Sequence, residues 1–138
     1  MLRRLTEKKE KILQAVNEIA AESGEGTLIV VEGKKDIDAL RSLGVTGPLL
    51  AAKTGGKSFA QLFNEIELTH PKGVILLLDF DRRGKEATAR FASTLERARI
   101  KHDLTFWRSL RALASREVQC IESLPSYLQT LERKTAKL

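Results

Sequence analysis

Two kinds of apolar spacing alternate along the chain. Residues 2–23 place Leu5, Ile12, Leu13, Val16, Ile19 and Ala20 close to a 3.6-residue period, with a basic opposite side at the start. This predicts an amphipathic helix that Gly24 and Gly26 end, with Lys8, Lys9 and Lys11 on its solvated face. Residues 27–31 (Thr-Leu-Ile-Val-Val) are apolar without a break, as in a strand buried on both faces, and they stop at Glu32. The helical period returns over residues 34–43, where Ile37, Leu40 and Leu43 face inward and Gly44 ends the run. A short strand over 48–52, a glycine-rich basic loop over 53–57 and a helix over 58–68 follow. The longest buried-type strand spans 74–79, and the helix after it spans 84–99 with Ala87, Phe91, Leu95 and Ala98 inward. Residues 104–107 read as a last strand. From 108 the chain reads as helical to its end, broken near Pro125, with 134–138 frayed.

Strands alternating with helices predict an α/β fold: a four-stranded, mainly parallel sheet sandwiched by helices. At 138 residues the expectation is a single domain over 1–138. Its core would span 27–107, flanked by an N-terminal helix at 1–24 and a C-terminal helical extension at 108–138.

The acids stand out against this pattern. Five apolar residues from Val74 run straight into Asp79, Asp81 follows two residues later, and Glu32 closes the first strand in the same way. The plainest reading is that such acids open turns and cap helices. In open parallel sheets, however, ligands gather at the carboxyl ends of strands where the strand order reverses. If the first and third strands are neighbours, Glu32, Asp79 and Asp81 share one rim. Three like charges there are costly alone and reasonable around a divalent cation, which takes hard oxygen ligands.

Val31-Glu32-Gly33-Lys34-Lys35-Asp36 and Asp79-Phe80-Asp81-Arg82-Arg83-Gly84 resemble the two signatures of the Toprim domain. That domain is shared by topoisomerases, primases and the ribosomal-RNA maturase M5. The resemblance covers about residues 27–107, and the whole chain is similar to small stand-alone Toprim proteins of archaea and some bacteria. It implies a Rossmann-like Toprim fold in which Glu32 acts as general acid/base and Asp79 and Asp81 hold Mg²⁺, with Mn²⁺ able to substitute. Gly33 and Gly84 would let the backbone approach a phosphate. Asp36 would support the site or, as the favoured reading, serve as an acid at a helix N-terminus. Lys34, Lys53, Lys57, Arg82 and Arg83 lie in loops of the same rim and would meet phosphates, Lys34 and Arg82 foremost. Their plain alternative is to balance the acids and face water.

Composition narrows the rest. A net charge of +6 is compatible with a polyanionic partner, while five Phe, one Trp and one Tyr argue against recognition of bases by stacking platforms. Cys120 is alone, so no internal disulfide or zinc site is expected, and neither His70 nor His102 has a partner at ligand spacing. Gly56-Lys57-Ser58 imitates a nucleotide-binding P-loop, but the first glycine of that motif would fall on Ala51. Tyr127, Phe106 and Trp107 read as packing residues. Without a signal peptide or a long apolar run the expected location is the cytoplasm, with no membrane partner. The functional expectation is Mg²⁺-dependent phosphoryl transfer on RNA or DNA, of nuclease type. The alternative is a non-catalytic, metal-dependent nucleic-acid or nucleotide-binding module of a larger complex, working with a protein partner or as a homodimer.

Overall fold

The computed structural model describes residues 2–53 and 55–136. Helix α1 (Leu2–Gly24) leads into β1 (Leu28–Val31), α2 (Lys34–Ser42), β2 (Leu49–Ala51), α3 (Phe59–Leu68) and β3 (Val74–Leu77). Then come α4 (Arg82–Arg97), β4 (His102–Asp103), α5 (Thr105–Ala114), a 3₁₀ turn (Ile121–Ser123) and α6 (Leu124–Thr135). The four strands form one parallel sheet in the order β2-β1-β3-β4. The register sets Leu28, Ile29, Val30 and Val31 beside Val74, Ile75, Leu76 and Leu77. The first and third strands are therefore neighbours, as the reading of the acids required.

Side chains alternate across a strand, so β1 and β3, buried on both faces, feed two cores. Ile29, Val31, Ile75 and Leu77 pack under α1, α2, α5 and α6, with Ile12, Ile19, Leu40, Leu110 and Leu124 fully or almost fully buried. Leu28, Val30, Val74, Leu76 and Leu78 pack on the other side against Leu62 and Ile66 of α3 and Phe91 and Leu95 of α4. The amphipathic helix at the N-terminus is thus a layer of the first core. Its last turn is tied to the approach of β2, where the Gly47 N–H donates to Ser23 Oγ at 2.8 Å. No described helix is long and apolar enough to cross a membrane.

Three sequence expectations fail near the C-terminus. Residues 104–107 are not the last strand: β4 is His102–Asp103, and Thr105 already opens α5. Asp103 Oδ1 accepts the Thr105 N–H at 2.7 Å, and Phe106, Trp107, Leu110 and Ala114 then bury one helical stripe. A four-residue apolar run has no period of its own, so the helical continuation decides it. Pro125 does not break a helix either, because it sits in the first turn of α6, where a missing N–H costs nothing. The break falls before it, between Ala114 and the 3₁₀ turn. At the end of the chain, α6 runs through Lys134 and Thr135 without fraying, and residues 137 and 138 lie outside the described residues.

Candidate functional site

The strand order places a topological switch between β1 and β3: from β1 the chain moves outward to β2, then returns to β3 and moves the other way to β4. Glu32 leaves β1 and Asp79 follows β3 at the carboxyl edge of that crevice, where parallel sheets collect ligands. Each acid belongs to a tight turn into a helix.

At the first turn Gly33 caps α2, and its N–H donates to Asp36 Oδ2 at 2.9 Å. Asp36 Oδ1 accepts the Glu122 N–H at 2.7 Å, tying the turn to the C-terminal segment. Asp36 is 5% exposed and both of its oxygens are used, so it is the helix-terminal acid expected, with a second attachment that local sequence did not signal. The Glu32 carboxylate, half-buried beside it, accepts no hydrogen bond among the described residues.

The second turn is fastened from below. Trp107 Nε1 donates to the Leu78 carbonyl at 2.9 Å, and the Phe80 N–H donates to the Gln119 carbonyl at 2.7 Å. Phe80 is buried against Trp107, which leaves Asp79 and Asp81, on either side of it, turned outward. Asp81 caps α4, accepting the Gly84 N–H at 2.8 Å through Oδ1. The plain reading of this acid is therefore realised, with Oδ2 left over. The Asp79 carboxylate has no N–H partner among the described residues, although its backbone carbonyl accepts the Trp107 Nε1–H at 3.4 Å. Gly84 is required by packing, since a Cβ there would collide with the Asp79 carbonyl. At Gly33 a Cβ would meet nothing closer than Asp36 Oδ2 at 3.9 Å, so the fold itself does not demand glycine there.

Charge crowding marks the rim. Burial, then the charges of Glu32, Asp36 and Asp81, push Asp79 from the ordinary 3.8 up to about 6, with Lys53 opposing. Glu32 is also raised, chiefly by burial; Asp81 and Asp36 add to the shift, while Lys53 and Arg83 oppose it. The four carboxylates thus feel one another, and the cations that answer them are Lys53 and Arg83. Lys53 is set beside Glu32 by the bond from its N–H to the Glu32 carbonyl, 2.8 Å. Lys34 is exposed in the first turn of α2. Arg82, also exposed, pairs with Glu86 at 3.2 Å, and Lys57 is held by Glu65 at 2.7 Å. The loop that imitates a P-loop is a helix cap: Ser58 Oγ accepts the Gln61 N–H at 3.1 Å and Gln61 Oε1 accepts the Ser58 N–H at 2.8 Å. Thr54 of that loop lies outside the described residues.

Among the described residues, the ligand-type atoms lying within 4.8 Å of one another belong to Asp36, Asp79 and Cys120. Glu32 and Asp81 stand outside that tight group. Cys120 is the member that sequence gave no means of placing, since the Phe80–Gln119 and Asp36–Glu122 bonds that bring it in join distant segments. Each Asp36 oxygen already accepts one N–H, so Asp79 is the carboxylate of that group whose side chain has no N–H partner among the described residues. Carboxylates whose burial and crowding raise their proton affinity, as at Glu32 and Asp79, are donors that a divalent cation relieves.

The Toprim domain model matches residues 27–106. The chain belongs to the Toprim family. It is 32% identical over 128 residues to a UPF0292 protein of Methanosarcina barkeri, an alignment covering 91% of this chain and 86% of the relative. A UPF0292 protein of Methanocaldococcus jannaschii is 33% identical over 120 residues, covering 86% of this chain and 91% of the relative. Among solved structures, a putative protein from Aquifex aeolicus aligns with a TM-score of 0.65 at 25% identity, covering 80% of this chain and 94% of that one. Toprim membership links the chain to metal-dependent nucleic-acid chemistry.

Proposed function

We propose that the rim at the carboxyl ends of β1 and β3 is a phosphodiester-cleaving site that works with Mg²⁺, or Mn²⁺ in its place, on RNA or DNA. The observation that carries this reading is the pair of half-buried carboxylates, Glu32 and Asp79. They come from separate strands to one switch point and accept no hydrogen bond among the described residues. Acids that serve the fold, such as Asp36, are spent on N–H groups; these two are not.

Asp79 and Asp81 would hold the cation, with Glu32 at its side. When bound, the cation would offset negative charge on the phosphoryl oxygens. Glu32, its proton affinity raised by burial, is suited to pass a proton to or from an oxygen of the scissile phosphodiester. Lys53 and Arg83 sit where a phosphate meets the rim, and Lys34 and Arg82 extend the positive border outward. Lys57, tied to Glu65, stands further back. At Gly33 the absence of a side chain leaves the backbone open to a phosphate oxygen.

A second reading, a module that binds nucleic-acid ends or nucleotides without cleaving them, draws support from the openness of the rim. Asp81, Lys34, Lys53 and Arg83 are all exposed there. Incubating labelled RNA and DNA with Mg²⁺ or Mn²⁺ separates the two. Cleavage by the wild type that disappears in Glu32→Gln and Asp79→Asn, with binding retained, supports the enzyme. Metal-dependent binding without cleavage in any form supports the module.

A further inference from the structure

Helix α4 carries an arginine stripe that the site does not use up. Arg83, Arg90 and Arg97 recur every seven residues, so they run down one side of the helix over about 21 Å, drifting only about 20° per step. All three are exposed, and among the described residues none has a carboxylate within ion-pair range. Their neighbour Arg82 is paired, with Glu86. The stripe faces a groove between α3 and α4 made of two adjoining hollows of about 480 and 320 Å³ that share Phe59 and Arg90. Arg83 lines the end nearer the rim, Phe63 and Arg97 the far end.

Phe59 and Phe63 are half-buried, with ring centroids 6.4 Å apart at 19°, and the Arg90 guanidinium lies 3.9 Å over the Phe59 ring. Arg97 is steadied by 3.4 Å contacts to the hydroxyls of Ser93 and Thr94. Rings and planar guanidinium faces at the bottom, with unpaired positive charge along one wall, suit unpaired bases with their phosphates. The groove is continuous with the acid rim through Arg83, whose charge acts on Glu32.

We propose that the α3–α4 groove seats a single-stranded stretch of nucleic acid leading to or from the rim. The proposal rests on the nucleic-acid reading of the site and adds the form of the substrate and its path. A duplex keeps its base faces stacked inside and has no use for the rings; a flexible single strand does. The scarcity of aromatics across the chain is thus offset locally, since three of its five phenylalanines, Phe59, Phe63 and the buried Phe91, line this groove.

The test is fluorescence anisotropy of a labelled single strand of about 20 nucleotides, longer than typical single-strand sites, and of its duplex, each with Mg²⁺ and with EDTA. Arg90→Glu/Arg97→Glu should weaken single-strand binding more than tenfold while melting like the wild type. It should also flatten the dependence of log affinity on log salt by about 1.4, for two lost phosphate contacts. Phe59→Leu, which keeps apolar volume but removes the ring, should cost fivefold or more on the single strand and leave the duplex unchanged. Wild-type affinity in the double reversal overturns the proposal, as does failure of the wild type to bind the single strand. Asp79→Asn separates this result from the site reading. If it abolishes metal-dependent cleavage while the double reversal binds normally, the groove falls and the rim stands. If the double reversal loses binding while Asp79→Asn cleaves normally, the groove stands and the rim falls.

Discussion

The two strand-to-helix turns of the rim are built alike and held differently. Each contains one acid that caps its helix and one whose carboxylate takes no N–H among the described residues: Asp36 and Glu32 at the first turn, Asp81 and Asp79 at the second. At the first turn the capping acid is buried and accepts an N–H through each oxygen. At the second, the capping acid is exposed and keeps one oxygen available. The same residue type, at N3 of one helix and at the N-cap of the other, is tied down by two N–H groups in the first case and by one in the second.

The largest effects should fall on the unsaturated pair. Asp79→Asn and Glu32→Gln should each lower metal-dependent cleavage by about 10²–10⁴-fold, measured as initial rate at saturating Mg²⁺. Neither should lower the melting temperature of the metal-free protein, because each removes a charge that its neighbours oppose. The saturated acid should behave in the opposite way. Asp36→Ala strands two N–H groups and should cost about 2–4 kcal/mol in urea unfolding, which would be visible without any metal. Gly84→Ala should follow at about 1–3 kcal/mol, from the collision with the Asp79 carbonyl. Gly33→Ala, with ordinary contacts, should be milder in stability than in activity.

A smaller effect lies in the pH dependence. The folded state holds a proton on Asp79 more tightly than the unfolded chain, about 6 against 3.8. Its contribution to stability is therefore full below about pH 4 and lost as the pH rises through about 6. The stability difference between metal-free wild type and Asp79→Asn should move in that window, the mutant gaining on the wild type toward neutral pH. A difference that stays flat from pH 4 to 7 would show that Asp79 is not crowded. Divalent-cation affinity should fall over the same range on acidification, since proton and cation compete. Smallest of all should be the stability change in Asp81→Asn, within about 0.5 kcal/mol, because asparagine caps a helix as well as aspartate does. Calorimetric titration with Mn²⁺ should nonetheless show weaker binding, dividing the cap from the charge.

Much of this was legible in the sequence, for physical reasons. Central parallel strands are apolar on both faces, so β1 and β3 announced themselves, and a carboxylate ending such a run has no packing reason to be there. What was hidden depends on long-range contact. The short β4 lacked any period, and the apolar run at 104–107 belonged to a helix because of positions 110 and 114. The bonds from Asp36 to Glu122 and from Phe80 to Gln119, and the arrival of Cys120 beside two carboxylates, join segments far apart in the chain and leave no local trace. Arginine emphasis shifted for a related reason. Arg82 and Arg83 are adjacent in sequence, yet helix geometry gives one to Glu86 and turns the other toward the rim and the groove.

The Toprim match ends at residue 106, yet Gln119 and Glu122 each grip one of the two turns by a backbone bond. Four residues of the C-terminal segment therefore act as a crossbar from which both halves of the acid rim hang. Whatever displaces that crossbar, a partner levering on α6 included, shifts both halves at once and so reaches the spacing of the acids without touching either of them.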